Sequence, residues 1–205
     1  MVNEYHLSTP LTDDVVKKLK IGDIVYISGI MVTARDEAHE TALEILEKGE
    51  KLPIDLKGLV LYHCGPVAIK KDNKWQIVAA GPTTSMRMES VEDKFIEKTG
   101  IKMVVGKGGM GKKTAEAMKK FNAVYAVFTG GAGALAAERI KEVKDVYWLD
   151  KLGVPEAMWV FRVEEFGPLI ITIDTEGNNY YEIRLNEVAK NAEKIKESLK
   201  EYKWT

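Results

Sequence analysis

The sequence contains very few of the residues on which several classes of protein depend. Of its 205 residues only one, Cys64, is a cysteine. A single thiol excludes a disulfide within the chain, and it cannot supply the several thiolates that a metal cluster needs. It is also typical of proteins in the reducing cytoplasm. We therefore expect a cytoplasmic protein that carries no thiolate-bound cluster of its own.

The chain also lacks a strong charge of either sign and any long apolar run. Its formal net charge is −1, whereas a nucleic-acid-binding surface needs a basic excess. No apolar stretch approaches the roughly 20 residues of a membrane-spanning helix, and the first ten residues lack the pattern of a secretory signal. With 45% apolar and 30% charged residues, the composition is that of a soluble globular protein. We expect neither a nucleic-acid partner nor a membrane.

No internal repeat or low-complexity linker divides the chain, so we expect residues 1–205 to form one domain. Strands and helices alternate between residues 102 and 149, which indicates parallel strands joined by helical crossovers. More strands flank this region, and a charged helix is predicted over 186–202 as a C-terminal appendage. The predicted class is α/β, with a mixed sheet or a barrel-like β core.

Local signals predict several individual elements. Ser90 and Asp93 resemble a capping box for a helix that ends before Gly100. Residues 71–74 are typical of a hairpin turn between two short strands. Further strands are predicted over 146–149, 160–163 and 169–173, and a helix is predicted over 35–48.

The segment SGIMVTARDEAHE places Arg35 where a buried strand becomes a helix. A cation in the first turn opposes the helix dipole, and a bound anion removes that conflict. The planar guanidinium also matches a carboxylate with two parallel hydrogen bonds. His39 lies four residues later on the same helix face and could exchange a proton near neutral pH. The structural alternatives are a surface ion pair for Arg35, for example with Asp36, and a purely structural histidine.

The segment GPTTSMRMES follows a predicted strand and carries three hydroxyls, on Thr83, Thr84 and Ser85, before Arg87. Ligands of α/β proteins bind in the loops after the carboxyl ends of strands. Hydroxyls followed by an arginine in such a loop suit a hydroxycarboxylate. Helix capping with a solvated Arg87 is the structural alternative, although three consecutive hydroxyls exceed what one cap requires.

The segment GKGGMGKKT joins a predicted strand to a helix. Its spacing satisfies G-x-G-x-x-G, but the acidic residue that a dinucleotide site needs after the next strand is missing. It also resembles a phosphate-binding P-loop, but Lys113 stands where Ser or Thr is required. The sequence therefore argues against both nucleotide sites. Lys107 and the backbone N–H groups could instead contact another anion, or the loop could be a tight turn with an exposed lysine.

Taken in order, five segments resemble the β subunit, or C-terminal domain, of class I fumarases and L-tartrate dehydratases. They are GDIVYISGIMVTARDEAH, HCGPV, GPTTSMRMES, GKGGMG and GVPEAMWVFRVEEFGPLIITID. The resemblance implies a swivelling β/β/α fold and a partner α subunit in an α2β2 assembly. It also implies a [4Fe-4S] cluster that lies on three cysteines of the α subunit and is not bound by this chain.

The resemblance implies roles for individual residues as well. Thr83 matches a threonine proposed as the catalytic base of the family. His39 matches a histidine that is an active-site candidate, so both residues are expected to be catalytic. The residues expected to bind the substrate carboxylates and hydroxyl are Arg35, Thr84, Arg87 and Lys107.

The implied reaction is the reversible hydration of fumarate to L-malate, with this chain contributing half of a shared active site. Dehydration of L-tartrate to oxaloacetate is the nearest alternative, because the GPTTSMRMES segment suits either activity. A non-enzymatic module that binds small dicarboxylates is a further alternative, and a nucleotide-binding protein is another.

Overall fold

The structure is a computed structural model, and it describes residues 2–200. No helix in that range is long and apolar enough to cross a membrane. The strands are β1 (Glu4–Ser8), β2 (Ile24–Thr33), β3 (Val60–Tyr62), β4 (Val67–Lys71), β5 (Lys74–Ala79), β6 (Met103–Gly106), β7 (Val124–Val127), β8 (Ile140–Tyr147) and β9 (Met158–Ile173). The helices are α1 (Asp13–Val16), α2 (Asp36–Glu47), α3 (Glu92–Thr99), α4 (Lys112–Phe121), α5 (Gly133–Arg139), α6 (Leu149–Leu152) and α7 (Tyr180–Lys200), with a 3₁₀ turn over Ser85–Met88.

Seven of these strands form one sheet in the order β1-β2-β3-β6-β7-β9-β8. Because β2 also pairs with β9, the strands β2, β3, β6, β7 and β9 close into a barrel. The pairs from β1 to β7 in this order are parallel, whereas β9 is antiparallel to β2, β7 and β8. The predicted α/β class with a barrel-like β core is confirmed.

The strands β3 and β6 are buried at every position because both of their faces are covered. Val60, Tyr62 and Val105 point to the core on the inner face of the barrel. Leu61 and Val104 point to the opposite face, where they pack against the apolar sides of α2, α3 and α4. The two-residue period of the strands thus separates an inner core from an outer one.

The carboxyl ends of β2, β3 and β6 lie side by side at one rim of the barrel. Thr33 at the end of β2 pairs with Tyr62 at the end of β3, and Tyr62 pairs with Val105 in β6. The chain segments that follow these three strands therefore start at neighbouring points. They contain Arg35, His63 and Lys107.

The capping box predicted from Ser90 and Asp93 is absent. The N-cap residue of α3 is Val91, and no side chain caps the helix. Turns that continue from the 3₁₀ segment, including a hydrogen bond from Val91 N–H to Met88 C=O at 2.9 Å, place Ser90 before the cap position. The predicted helix end is confirmed, because Gly100 adopts the left-handed conformation with φ 70°.

Long-range pairing changes several predicted strands. A single strand, β9, replaces the two predicted over 160–163 and 169–173, because it pairs with β2 and β8 along its length. The strand predicted over 146–149 is the end of the longer β8, and Leu149 already belongs to α6. β1 is not predicted at all, and among residues 2–200 it pairs with β2 alone.

The two remaining predictions concern a turn and the last helix. Asp72 and Asn73 both have positive φ values, 49° and 59°, which confirms the hairpin turn between β4 and β5. The C-terminal helix, α7, begins at Tyr180 instead of residue 186. Its predicted end at Tyr202 lies outside the described residues.

Candidate active site

Arg35 occupies the N-cap position of α2, two residues after the end of β2. Its Nε atom lies 3.1 Å from Glu156 Oε1, so its ion-pair partner is not the neighbouring Asp36. The same Nε atom has no aligned hydrogen bond within residues 2–200. Gly65 makes room for the side chain, because a Cβ there would lie 2.8 Å from Arg35 Nη1. An acid therefore orients the guanidinium at the rim without satisfying all of its donors.

The GPTT segment (residues 81–90) lies in space between the end of β3 and the glycine loop (residues 106–111). Backbone hydrogen bonds join these three parts of the chain. Thr83 N–H donates to His63 C=O at 2.7 Å, and Lys107 N–H donates to Thr83 C=O at 3.1 Å. Ser85 N–H donates in turn to Lys107 C=O at 3.1 Å. Thr84 pairs with Lys107 in a parallel bridge. Residues singled out in two separate motifs are therefore adjacent at the rim.

Arg87 lies in the 3₁₀ turn and contacts the first turn of α2. Its Nη2 atom is 2.8 Å from Asp36 Oδ2, and the arginine side chain is 51% exposed. This contact joins the GPTT segment to the residue that follows Arg35. Both arginines thus stand at the same part of the rim, each with one carboxylate partner.

The glycine loop is held by a carboxylate from the same chain. Glu89 Oε2 accepts hydrogen bonds from Gly111 N–H at 2.7 Å and from Thr114 Oγ1 at 2.6 Å. Glu89 also accepts the Thr114 N–H, and it therefore lies at the N-terminal end of α4, where a nucleotide phosphate would otherwise bind. This arrangement agrees with the sequence argument against a nucleotide site. Lys107 is exposed in this loop and has no ion-pair partner among the described residues.

His39 lies beneath the rim and not on its surface. Its side chain is fully buried. Nδ1–H donates to Arg35 C=O at 2.8 Å, and the ring packs against Phe95 with centroids 4.6 Å apart. In this position the imidazole cannot touch a ligand at the rim. Its proposed role in proton transfer stays a prediction.

His39 belongs to a larger group, the buried polar cluster, which consists of His39, His63, Ser85, Glu92 and Tyr125. Glu92 Oε2 lies 2.8 Å from His63 Nε2 and 3.4 Å from His39 Nε2, and these three side chains are fully buried. Neither imidazole N–H points directly at the carboxylate, so these are close electrostatic contacts without aligned hydrogen bonds. On the other side, Ser85 Oγ lies 2.9 Å from His63 Nδ1 and 2.8 Å from the Tyr125 hydroxyl.

The charges of the cluster compensate one another. Burial acts to raise the pKa of Glu92, but the two imidazoles outweigh it and hold that pKa at about 2. Burial lowers the pKa of His63. Burial also acts to lower the pKa of His39, but the Glu92 carboxylate outweighs this effect, so the pKa of His39 is raised. The cluster therefore favours an ionised Glu92 and favours positive charge on His39 over positive charge on His63.

Sequence reasoning missed His63, Ser85, Glu92 and Tyr125 as a group. One signal for Glu92 is present in the sequence, because Glu92, Phe95, Ile96 and Thr99 share one face of α3 and all four are buried. A carboxylate on an apolar helix face needs a buried partner. No local pattern identifies that partner as His63, which comes from a different strand.

The cluster makes a prediction about acid stability. The pKa of Glu92 is about 2 in the folded chain against an ordinary 4.5, so its stabilising contribution is complete above pH 4.5 and is lost toward pH 2. We expect the unfolding free energy of the purified chain to fall over this window by up to about 1.4 kcal/mol per pH unit from this group. Urea unfolding at pH 5, 4 and 3 measures it, and Glu92→Gln should show a shallower dependence. Identical slopes for both proteins would contradict the assignment.

The chain does not offer a ligand set for an iron–sulfur cluster. Its only cysteine, Cys64, is buried. Burial raises the pKa of the thiol and so disfavours the thiolate form that a metal needs. Among residues 2–200 the one group of three metal-ligating side chains within reach of one another is His39, His63 and Glu92. That group contains no sulfur, and its charges already pair.

The rim brings together the types of group that bind small carboxylates in proteins. Three cationic side chains reach it from three segments, together with the hydroxyls of the GPTT segment. Arg87, Lys107 and Thr84 are exposed, so the site is open to a ligand and to a second protein surface. Cations that bind carboxylates stabilise them most when water is excluded, which an open rim alone does not achieve.

Comparisons with known proteins give matches over most of the chain. The sequence profile of the family described as fumarase C-terminus matches residues 1–184. L(+)-tartrate dehydratase subunit beta of Escherichia coli (strain K12) is 47% identical over 173 residues, which is 84% of either chain. A putative L(+)-tartrate dehydratase subunit beta of Methanocaldococcus jannaschii is 49% identical over 172 residues, or 84% of this chain and 88% of the relative.

A longer relative matches as well. A putative fumarate hydratase class I of Geobacillus stearothermophilus is 42% identical over 177 residues. The match covers 86% of this chain but only 33% of that protein. The chain thus corresponds to nearly the full length of the two β subunits and to about a third of the longer hydratase.

Proposed function

This chain belongs to the fumarase C-terminus family, and on that premise we propose that it is the β subunit of a [4Fe-4S]-dependent hydro-lyase. The proposed reaction is the reversible hydration of fumarate to L-malate. This chain supplies the dicarboxylate-binding half of a shared active site. The observation that carries the proposal is the meeting of Arg35, the GPTT segment and Lys107 at one rim of the barrel.

Substrate binding is assigned to the three cations and to Thr84. Arg35 and Arg87 each have a carboxylate partner in the chain, Glu156 and Asp36, which orients the guanidinium and leaves further N–H groups for the substrate. Lys107 adds a charge that no acid of the described residues compensates. A dicarboxylate would thus meet fixed donors at both of its ends, and cations of this kind stabilise developing negative charge.

Proton transfer is assigned to Thr83. Conversion of malate to fumarate removes a proton from the carbon beside one carboxylate, and the electron pair left behind spreads onto that carboxylate before it forms the double bond as hydroxide leaves the adjacent carbon. The cluster on the partner chain would supply the Lewis acid for the departing hydroxide. Thr83 Oγ1 would accept the proton, while Arg87 and Lys107 would bind the charged carboxylate. A threonine hydroxyl is a very weak acid, so its activation requires an assisting base, which we assign to the partner chain.

The cluster and the rest of the site are assigned to an α subunit. The single, buried Cys64 supports this division, because the cluster needs thiolates that this chain lacks. The β-subunit names of the relatives from E. coli and M. jannaschii imply a partner chain for those proteins. We propose an α2β2 complex in the cytoplasm, where a free thiol and an oxygen-sensitive cluster are both compatible with reducing conditions.

Coexpression with the α subunit tests the proposal. We expect a brown, oxygen-sensitive complex that converts fumarate to malate, and no activity from this chain alone. A colourless homodimer that binds fumarate without turnover would instead support the dicarboxylate-binding module. A complex that neither binds nor converts dicarboxylates would contradict both.

Dehydration of L-tartrate to oxaloacetate is the second candidate reaction. It is favoured by the two relatives named as tartrate dehydratase β subunits, which match this chain over 84–88% of their length. Tartrate differs from malate by one additional hydroxyl, and Thr84 and Thr83 are the hydroxyls available to recognise it. Comparing kcat/KM for malate and L-tartrate with the same complex distinguishes the two reactions.

A further inference from the structure

The buried polar cluster contacts the backbone of every segment that carries a proposed ligand. His39 Nδ1–H binds Arg35 C=O at 2.8 Å. The backbone C=O of His63 accepts the N–H of Thr83 at 2.7 Å, and the N–H of Ser85 binds Lys107 C=O at 3.1 Å. These bonds fix main-chain positions, while the ligand side chains themselves project to the rim.

The side chains of the cluster join those segments to one another. Ser85 Oγ is shared between His63 Nδ1 at 2.9 Å and the Tyr125 hydroxyl at 2.8 Å. The Tyr125 hydroxyl also lies 3.0 Å from Gly108 C=O in the glycine loop. The single proton of the Tyr125 hydroxyl can be donated either to Ser85 Oγ or to Gly108 C=O. The Ser85 hydroxyl thus joins the GPTT segment to the end of β3 and to Tyr125 of β7, whose hydroxyl lies beside the glycine loop.

Gly106, the last residue of β6, shows how closely this arrangement is packed. A Cβ at this position would overlap Ser85 Oγ and would lie 3.3 Å from His63 Cβ and Nδ1. The space that a side chain would fill is taken by the serine hydroxyl. The position of Ser85 is therefore set by the strand beside it as well as by its hydrogen bonds.

We propose that Glu92 and Ser85 are positioning residues for the hydro-lyase reaction, and that His39 also acts by positioning and not by proton transfer. Glu92 holds the two imidazoles; His63 and Ser85 hold the main chain of Thr83 and Lys107; His39 holds that of Arg35. None of these side chains reaches the rim, because all are buried. The inference rests on the function proposed above.

Kinetics of the assembled enzyme test the proposal. Ser85→Ala, Glu92→Gln and His39→Gln should each lower kcat by about 10- to 100-fold, because small displacements of reacting groups have effects of this size. The pH dependence of kcat should keep its shape in His39→Gln. Loss of one limb of that profile would make His39 a proton-transfer group, and unchanged kcat in Ser85→Ala and Glu92→Gln would overturn the positioning role.

A matched control is Thr172→Val in β9. Thr172 is buried, and its hydroxyl has no hydrogen-bond partner within residues 2–200. It lies in β9 between Ile171 and Ile173, which pair with Ala126 and Tyr125 of β7. The substitution removes a buried hydroxyl outside the cluster, so kcat should stay within twofold of the wild type. Tyr125→Phe keeps the ring and removes one hydroxyl, and it tests the same network if Ser85→Ala does not fold.

Amide hydrogen exchange separates this inference from the proposed function. The N–H groups of Thr83, Ser85 and Lys107 should exchange at least tenfold faster in Ser85→Ala and Glu92→Gln than in the wild type or in Thr172→Val. This readout needs no catalysis. If the wild-type complex converts neither fumarate nor tartrate, the proposed function fails while the exchange result still decides the positioning role. Unchanged exchange at all three groups would overturn the positioning role.

Discussion

Replacing Thr83 with valine in the assembled enzyme is expected to lower kcat for malate dehydration by about 10²–10⁴-fold, the usual contribution of a general acid or base. Valine keeps the branched shape and removes only the hydroxyl. The backbone N–H of Thr83, and not its side chain, bonds to His63, so the main chain should stay in place. Because the proposed ligands of the carboxylates are cations and not the Thr83 hydroxyl, KM should change little. Steady-state kinetics with malate measure both constants.

Thr12→Val serves as the control for this experiment. Thr12 is exposed at the N-cap of α1 and makes no side-chain capping bond, so loss of its hydroxyl should leave kcat unaltered. If Thr83→Val keeps the kcat of the wild type, Thr83 does not take part in proton transfer. A rise in KM with constant kcat would make it a binding residue instead.

Arg87→Ala is expected to lower kcat/KM by about 10²–10³-fold, on the order of the loss of one oxyanion-hole donor. The arginine is half exposed, and its pair with Asp36 is at the surface, so the substitution should change the unfolding free energy by less than about 1 kcal/mol. The expected effect is therefore on activity and not on folding. Kinetics with malate and urea unfolding of the same preparation separate the two.

Arg162→Ala provides a matched arginine. Arg162 Nε lies 3.4 Å from Glu142 Oε2, and the side chain is 46% exposed, close to the 51% of Arg87. It pairs two strands outside the rim, so kcat/KM should remain near that of the wild type. Equal losses in both variants would indicate a general effect of charge, and no loss in Arg87→Ala would exclude Arg87 from substrate binding.

Sequence patterns predict the residues at the rim better than they predict the structure beneath the rim. Arg35 and Lys107 follow parallel strands of the barrel, which end at a common edge, so their proximity follows from local signals. The GPTT segment instead follows β5, which belongs to the separate two-stranded sheet, and its place at the rim depends on backbone hydrogen bonds to His63 and Lys107. The closure of the barrel does not follow from local signals, because β2 and β9 pair residues such as Ile24 and Ile170 that are far apart in the chain. The continuity of β9 depends on that same pairing.

The buried polar cluster is the other feature that local patterns leave unresolved. Glu92 interrupts an apolar face of α3, which signals a buried carboxylate but not its partners. His63 lies one residue after β3, and Tyr125 lies in β7, so the three are brought together by the assembled sheet, in which β6 lies between β3 and β7. The prediction of a capping box is wrong for a related reason. Turns that continue from the 3₁₀ segment place Ser90 before the N-cap position of α3.

Titration of a fixed amount of purified α subunit with this chain tests the central claim, a shared active site, most directly. The account predicts no fumarate hydration by either chain alone. The rate should rise with added chain, reach a plateau at one β subunit per α subunit, and stay near zero with Thr83→Val at any amount. Full activity of the α subunit without this chain would contradict a shared site.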